Sequence, residues 1–215
     1  RPPLPSVKMQ KMDTVLSAIS AQWLGQRLAQ APVAPPLTQG DGWLWRPASE
    51  IRPAAVLVPI LVQGGDLRML FTVRTAHLHD HAGQISFPGG RSDPEDATPV
   101  DTALREVQEE IGLPAERIEV IGVLSEYVTV TGYRVTPVVG LIEAPAEPKL
   151  DPFEVAEVFD VPLPHLLDAR NHQRNTVIHR GRERHYYAVP FGSRYIWGAT
   201  AGMLMNFCRH LGVVR

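Results

Sequence analysis

Apolar residues recur at Val15, Leu16, Ile19, Trp23, Leu24 and Leu28, a spacing that predicts one amphipathic helix over residues 11–30, ended by Pro32, Pro35 and Pro36. The proline- and glycine-rich stretch to Pro53 reads as a connector in which Trp43 and Trp45 alternate like a short strand or a packing anchor. The runs AAVLVPILVQ (54–63) and LRMLFTVR (67–74) flank Gly64, Gly65 and Asp66 and predict a buried hairpin. A second helix is announced at Thr98, with Pro99 at its first position and Asp101 placed to reach back to the cap. Its apolar stripe is Val100, Ala103, Leu104, Val107 and Ile111, and Gly112 and Pro114 close it.

Strands are expected at 118–125 and 134–142, and over 154–163 running into a short helix at 163–169. A further hairpin, NTVIHR and RHYYAV around Gly181, precedes a final helix from Ser193 to Leu211 with Trp197 in the core. Strands interleaved with helices predict an α/β sandwich with a mixed sheet. Residues 1–50 form an N-terminal helix and connector packed on a main domain of residues 51–215 in this reading.

Composition narrows the classes of partner. The 215 residues are 44% hydrophobic with a formal charge of -2 and no dense Lys/Arg tract, so a broad grip on nucleic acid is not expected. The longest apolar run, Ala54 to Val62, is too short to span a bilayer, and Cys208 has no second cysteine to pair with. A reducing, cytoplasmic setting is expected. Arg1 opens the chain with no methionine and no signal-like segment, and the first residues are read as bordering a truncation.

The chemistry concentrates on the second helix. Glu106 and Glu110 are four apart and therefore neighbours, a like-charge pair that a bound cation would relieve. Glu109 points toward the other side, where it can pair with Arg105, so geometry alone makes it the weakest ligand candidate. Three carboxylates suit a hard ion such as Mg²⁺ or Mn²⁺, whereas the same string in isolation is more often a solvated acidic face. His77, His79 and His81 alternate as on a strand, but no cysteine or second cluster completes a zinc set. Ser193, His165 and Cys208 lack the partner spacing of a nucleophilic hydrolase.

Residues 89–113, GGRSDPEDATPVDTALREVQEEIGL, resemble the Nudix box, whose second half reads R-E-U-x-E-E-x-G-U with U aliphatic. Arg105, Glu106, Val107, Glu109, Glu110, Gly112 and Leu113 fall on it in order. Asp96 stands where the box has Glu, and one extra residue separates it from Arg105. The upstream stretch LFTVRTAHLHDHAGQISFPGG (70–90) is similar to the additional signature of the Nudix coenzyme A pyrophosphatases. Leu70, Thr72, Arg74, Gly83, Phe87, Pro88, Gly89 and Gly90 match; Phe71, Thr75 and His79 do not, and His79 replaces an Arg.

The resemblance implies a Nudix-type α/β/α sandwich and metal-dependent hydrolysis of the coenzyme A pyrophosphate to 3′,5′-ADP and 4′-phosphopantetheine by water. It implies Mg²⁺ or Mn²⁺ held by Glu106, Glu109, Glu110 and the Gly89 carbonyl, with Arg105 bracing the glutamates. Glu106 ranks first as general base, with Glu154 and Glu157 as alternatives outside the box. Arg74, His79 and Gly90 are expected beside the substrate, and Arg134 with Tyr133 is either a substrate contact or structural. A homodimer is also expected from the resemblance. ADP-ribose or a dinucleoside polyphosphate as substrate, and a non-catalytic nucleotide-binding module, are the competing readings.

Overall fold

A computed structural model describes residues 16, 19–32, 34–40, 42–44, 46–76, 83–179 and 181–214, without the side chains of Trp43, His179 and Arg182. Helix α1 is Ala21–Leu28, and the Ser20 hydroxyl caps it by accepting from the Trp23 N–H. Within the helix expected over 11–30, α1 takes Ala21–Leu28 and starts after Ser20, because a serine side chain that satisfies a helix-end N–H favours a start over a continuation. Residues 1–15 lie outside the described residues. Gly42–Leu44 is a single 3₁₀ turn rather than a strand, and Trp45 is outside the described residues.

The expected hairpin is β1 (Arg52–Gln63) and β2 (Asp66–Arg74), with Ile60 opposite Met69. Short strands β3 (Ile85–Ser86) and β4 (Gly89–Arg91) follow, then helix α2 (Pro99–Ile111). Next come β5 (Ile118–Val123), β6 (Tyr127–Val128) and β7 (Tyr133–Glu143). Strand β8 (Val155–Pro162) runs into the short helix α3 (Leu163–Leu167). The chain ends with β9 (Gln173–His179), β10 (Arg182–Phe191), β11 (Arg194–Trp197) and α4 (Gly198–Leu211).

One correction concerns the last helix, which starts at Gly198 and not at Ser193. Tyr195, Ile196 and Trp197 are good strand formers and pair with Pro190, Val189 and Ala188 of β10. Trp197 is accordingly exposed rather than a core residue.

The main sheet has eight strands, and β1 is central, antiparallel to β2 and β4 and parallel to β7. Strands in the middle of such a sheet are covered on both faces and read as continuous apolar runs. On β1, Leu57 joins Ala103, Val107 and Ile111 of α2 on one face. Its neighbours Val58 and Ile60 join Leu24, Leu163, Leu204 and Phe207 of α1, α3 and α4 on the other. The architecture is an α/β/α sandwich with a mixed sheet. The small sheet β9–β10–β11 packs on the α4 side, where Val189 and Ile196 enter the core. The described part of residues 1–50 is tied to this body: Arg27 Nη2 donates to the Leu211 carbonyl at 3.0 Å, and Asn206 Nδ2 to that of Thr38 at 2.7 Å. Among the described residues, no helix is long and apolar enough to cross a membrane.

Candidate active site

Local sequence fixes where α2 begins. The Thr98 hydroxyl accepts from the Asp101 N–H at 3.2 Å and donates to the Asp101 carboxylate at 2.7 Å, with Pro99 opening the helix. The apolar stripe then docks the helix on β1, and the neighbouring β4 decides how close the acidic side comes. A Cβ at Gly90 would sit 2.5 Å from the Glu106 carboxylate, so a side chain there would push the glutamate away. At Gly89 a Cβ would meet the Ala55 carbonyl oxygen at 2.4 Å, and its N–H donates to Glu110 Oε2 at 3.0 Å.

Glu110 is only 4% exposed. Burial pushes its carboxyl up to about 8, against the Gly89 N–H and the Arg74 guanidinium, while the carboxylates of Glu106 and Glu154 push it further up. Arg74 Nη1 stands 3.7 Å from Glu110 Oε1, an ion pair too long to count as a hydrogen bond. Glu106 is also raised, first by burial and against the Arg105 hydrogen bond, again with Glu154 adding repulsion. Two buried carboxyls, both raised, and a third adding repulsion leave the site short of positive charge.

Arg105 supplies part of the balance from below. Its Nε and Nη2 grip Asp96 at 3.1 and 2.9 Å, Nη2 donates to the Arg91 carbonyl at 3.0 Å, and Nη1 donates to Glu106 at 3.0 Å and Glu109 at 3.1 Å. This two-pronged contact holds the Asp96 carboxyl well below the usual carboxylate range and raises the Arg105 guanidinium. The Asp93 N–H and the Thr102 hydroxyl also donate to Asp96, each at 2.9 Å. Asp96 is thus the anchor that fixes Arg105, and the longer loop brings it there despite the departure from the Nudix box. Glu109, 61% exposed at its side chain, is drawn outward by Arg105.

A second wall comes from the segment before β8. The Lys149 and Asp151 N–H groups donate to the Ile111 and Glu110 carbonyls, both at 2.9 Å, which hangs the segment on the end of α2. Thr75 then clamps it: its N–H donates to the Glu154 carbonyl at 3.0 Å and its hydroxyl to that of Phe153 at 2.7 Å. Glu154 is in this way delivered to the field of Glu106 and Glu110, whereas Glu157 is paired with Arg194. Sequence spacing alone did not separate the two. Arg134 turns to Glu126 at 3.6 Å rather than to the helix glutamates. His77, His79 and His81 lie outside the described residues.

Among the described residues, no three His, Cys, Asp or Glu side chains are grouped as they would be around a metal ion. The donor chemistry nonetheless fits a hard cation: Glu106 and Glu110 are oxygen donors in mutual repulsion, raised by burial and short of counter-charge. Glu109 joins such a set only by leaving Arg105. Roles missed at the level of sequence are those of Asp96 and Thr75. For Asp96 the available signal was a carboxylate nine residues ahead of Arg105 in a loop closed by the Thr98 cap.

The NUDIX domain family matches residues 51–180. The chain is 40% identical over 162 residues to the Nudix hydrolase NudL of Escherichia coli K12, covering 75% of this chain and 84% of that protein. Among solved structures, the Nudix hydrolase RenU of M. smegmatis is 28% identical with a TM-score of 0.45, over 52% of this chain and 70% of its own. A MutT/nudix family protein from Enterococcus faecalis is 18% identical with a TM-score of 0.49, over 95% of this chain and 73% of its own.

Proposed function

The chain belongs to the NUDIX domain family, hydrolases of substrates built on a nucleoside diphosphate, and from that premise we propose that it cleaves coenzyme A or its derivatives. The products are 3′,5′-ADP and 4′-phosphopantetheine. The observation that carries the catalytic reading is the buried Glu110, held between the Gly89 N–H and Arg74 with Glu106 and Glu154 repelling it. Support for coenzyme A in particular comes from the run of Leu70, Thr72, Arg74, Gly83, Phe87, Pro88, Gly89 and Gly90.

Glu106, Glu109, Glu110 and the Gly89 carbonyl would hold a divalent cation, Mg²⁺ or Mn²⁺, which would supply charge stabilisation at the phosphoryl oxygens and activation of water. The rest belongs to the chain. Arg74 presents a planar guanidinium to a phosphate, a geometry that fits two oxygens at once. Arg105, locked by Asp96, holds Glu106 in place. Glu106 accepts the proton of the attacking water as the new P–O bond forms and the bridging P–O bond breaks, and Glu154 is the other carboxylate within reach for this role. Gly90, with no side chain, lets the Glu106 carboxylate lie against the β4 backbone. Arg134 contacts substrate only after release from Glu126.

A second reading, ADP-ribose or a dinucleoside polyphosphate, is favoured by His79 standing where the coenzyme A signature has Arg. Product analysis by chromatography with each substrate, with and without Mg²⁺ or Mn²⁺, separates them. Metal-dependent release of 3′,5′-ADP from coenzyme A is expected. Faster turnover of ADP-ribose would favour the second reading, and no metal-dependent hydrolysis of any of them would sink both.

A further inference from the structure

Arg74, the last residue of β2, pairs with Glu110, and Val73 just before it lines a groove. The Arg74 guanidinium reaches Glu110, while its backbone N–H donates to the Gln84 carbonyl at 3.0 Å and its carbonyl accepts from Gly83 at 3.1 Å. Val73, Gly83 and Gln84 form one wall of a groove of about 450 Å³, and Arg194, Tyr195 and Trp197 form the other. That size falls within the range of small-molecule sites. Val73 and Arg74 are successive residues at the end of β2, so the groove and the guanidinium paired with Glu110 meet at the same strand end.

The far wall is aromatic and pinned. Tyr195 and Trp197 are 41% and 42% exposed, because Ile196 between them takes the core position on β11. Tyr186 meets the Trp197 ring edge-on at 5.7 Å, and Asn175 donates to the Tyr195 hydroxyl at 3.2 Å. Both rings are held in place while keeping exposed surface. The Arg194 guanidinium lies over the Phe159 ring at 4.8 Å and is paired with Glu157. Its charge is already balanced by Glu157, so the groove has little to offer a phosphate, whereas the Arg74 guanidinium has more. Fixed aromatic rings reward a flat π-partner more than a flexible chain, which would lose rotamer freedom on them.

We propose that this groove is the specificity subsite for the planar, uncharged base of the nucleotide substrate, stacked on Trp197 and Tyr195. The assignment rests on the pyrophosphohydrolase reading above. It places the base beyond Arg74 and the pyrophosphate before it.

Two experiments on the full chain test it. Adenosine, which carries no phosphate, is titrated without metal and followed by tryptophan fluorescence, with 4′-phosphopantetheine as the comparison. Saturable quenching by adenosine in the wild type, absent in Trp197→Ala, is expected. Steady-state kinetics on the hydrolysed nucleotide should show KM raised about tenfold in Trp197→Ala. The same variant should keep kcat within about twofold, and Trp197→Phe should recover most of the affinity. An unchanged KM in Trp197→Ala, or quenching by 4′-phosphopantetheine in place of adenosine, overturns the proposal. If the wild type hydrolyses nothing, the catalytic reading fails while the adenosine titration still decides the groove.

Discussion

The two faces of the main sheet are covered in opposite ways. Helix α4 buries Met203, Leu204, Phe207 and Cys208 in a core continuous with α1, α3 and the small sheet. Helix α2 buries Ala103, Val107 and Ile111, yet on the same helix it also buries Glu110. An apolar side chain gains by leaving water, whereas an ionised carboxyl loses, and Glu110 answers by holding its proton up to about 8. One face thus contributes stability alone, and the other also buries a carboxyl whose ionised form a cation would stabilise. Local rules broken at one place while the rest of the fold is consistent are what a functional site produces.

The largest test of this contrast pairs one variant from each face. Phe207→Ala, at a fully buried ring, should lower unfolding free energy by about 3–5 kcal/mol in urea titrations. Surviving folded protein should keep its kcat. Glu110→Gln should do the reverse, reducing hydrolysis by about 10³-fold with no loss of stability. Destabilisation by Glu110→Gln as large as that by Phe207→Ala would erase the distinction between the faces.

Asp96→Asn sharpens the picture on the acidic side, because Asp96 is where that face is held together. Loss of its charged contacts with Arg105 should lower stability by about 1.5–3 kcal/mol and also lower kcat, since Arg105 no longer positions Glu106. Its depressed carboxyl contributes stability above the ordinary aspartate range, and that contribution is lost as pH falls toward its folded value. Urea midpoints measured across pH would show both.

Glu110 gives a pH dependence of opposite sign. Its folded value is raised from 4.5 to about 8, so the unfolded chain releases this proton first. Stability without added metal should therefore be greatest below the lower value and fall as pH rises to the upper one. Glu110→Gln should remove that decline, as read from denaturation curves at a series of pH values.

Signals carried by neighbouring residues were legible in the sequence. Thr98, Pro99 and Gly112 delimit α2, and Gly64 with Gly65 set the β1–β2 hairpin. Features that depend on distant partners were not. Nothing local marks Gly89 and Gly90 as strand residues, and they become part of β4 by pairing with Val56 and Ala55. Ser193 to Trp197 merged into the following helix in the sequence pattern, although Tyr195, Ile196 and Trp197 prefer strand once β10 lies beside them. The glutamates of α2 were visible from their spacing, while the approach of Glu154 depends on Thr75, nearly eighty residues away and tied to it by the β2–β8 pairing. Residues 77–82, with His79 among them, lie outside the described residues.

Thermal unfolding near pH 8, with and without millimolar Mn²⁺, in the wild type and Glu110→Gln, bears most directly on the idea that the buried carboxyl of the α2 face serves a cation. At that pH the buried carboxyl is about half ionised, and a bound cation would stabilise the ionised form. Mn²⁺ should raise the wild-type Tm by several degrees and leave Glu110→Gln nearly unmoved. An equal rise in both proteins, or none in the wild type, would contradict it.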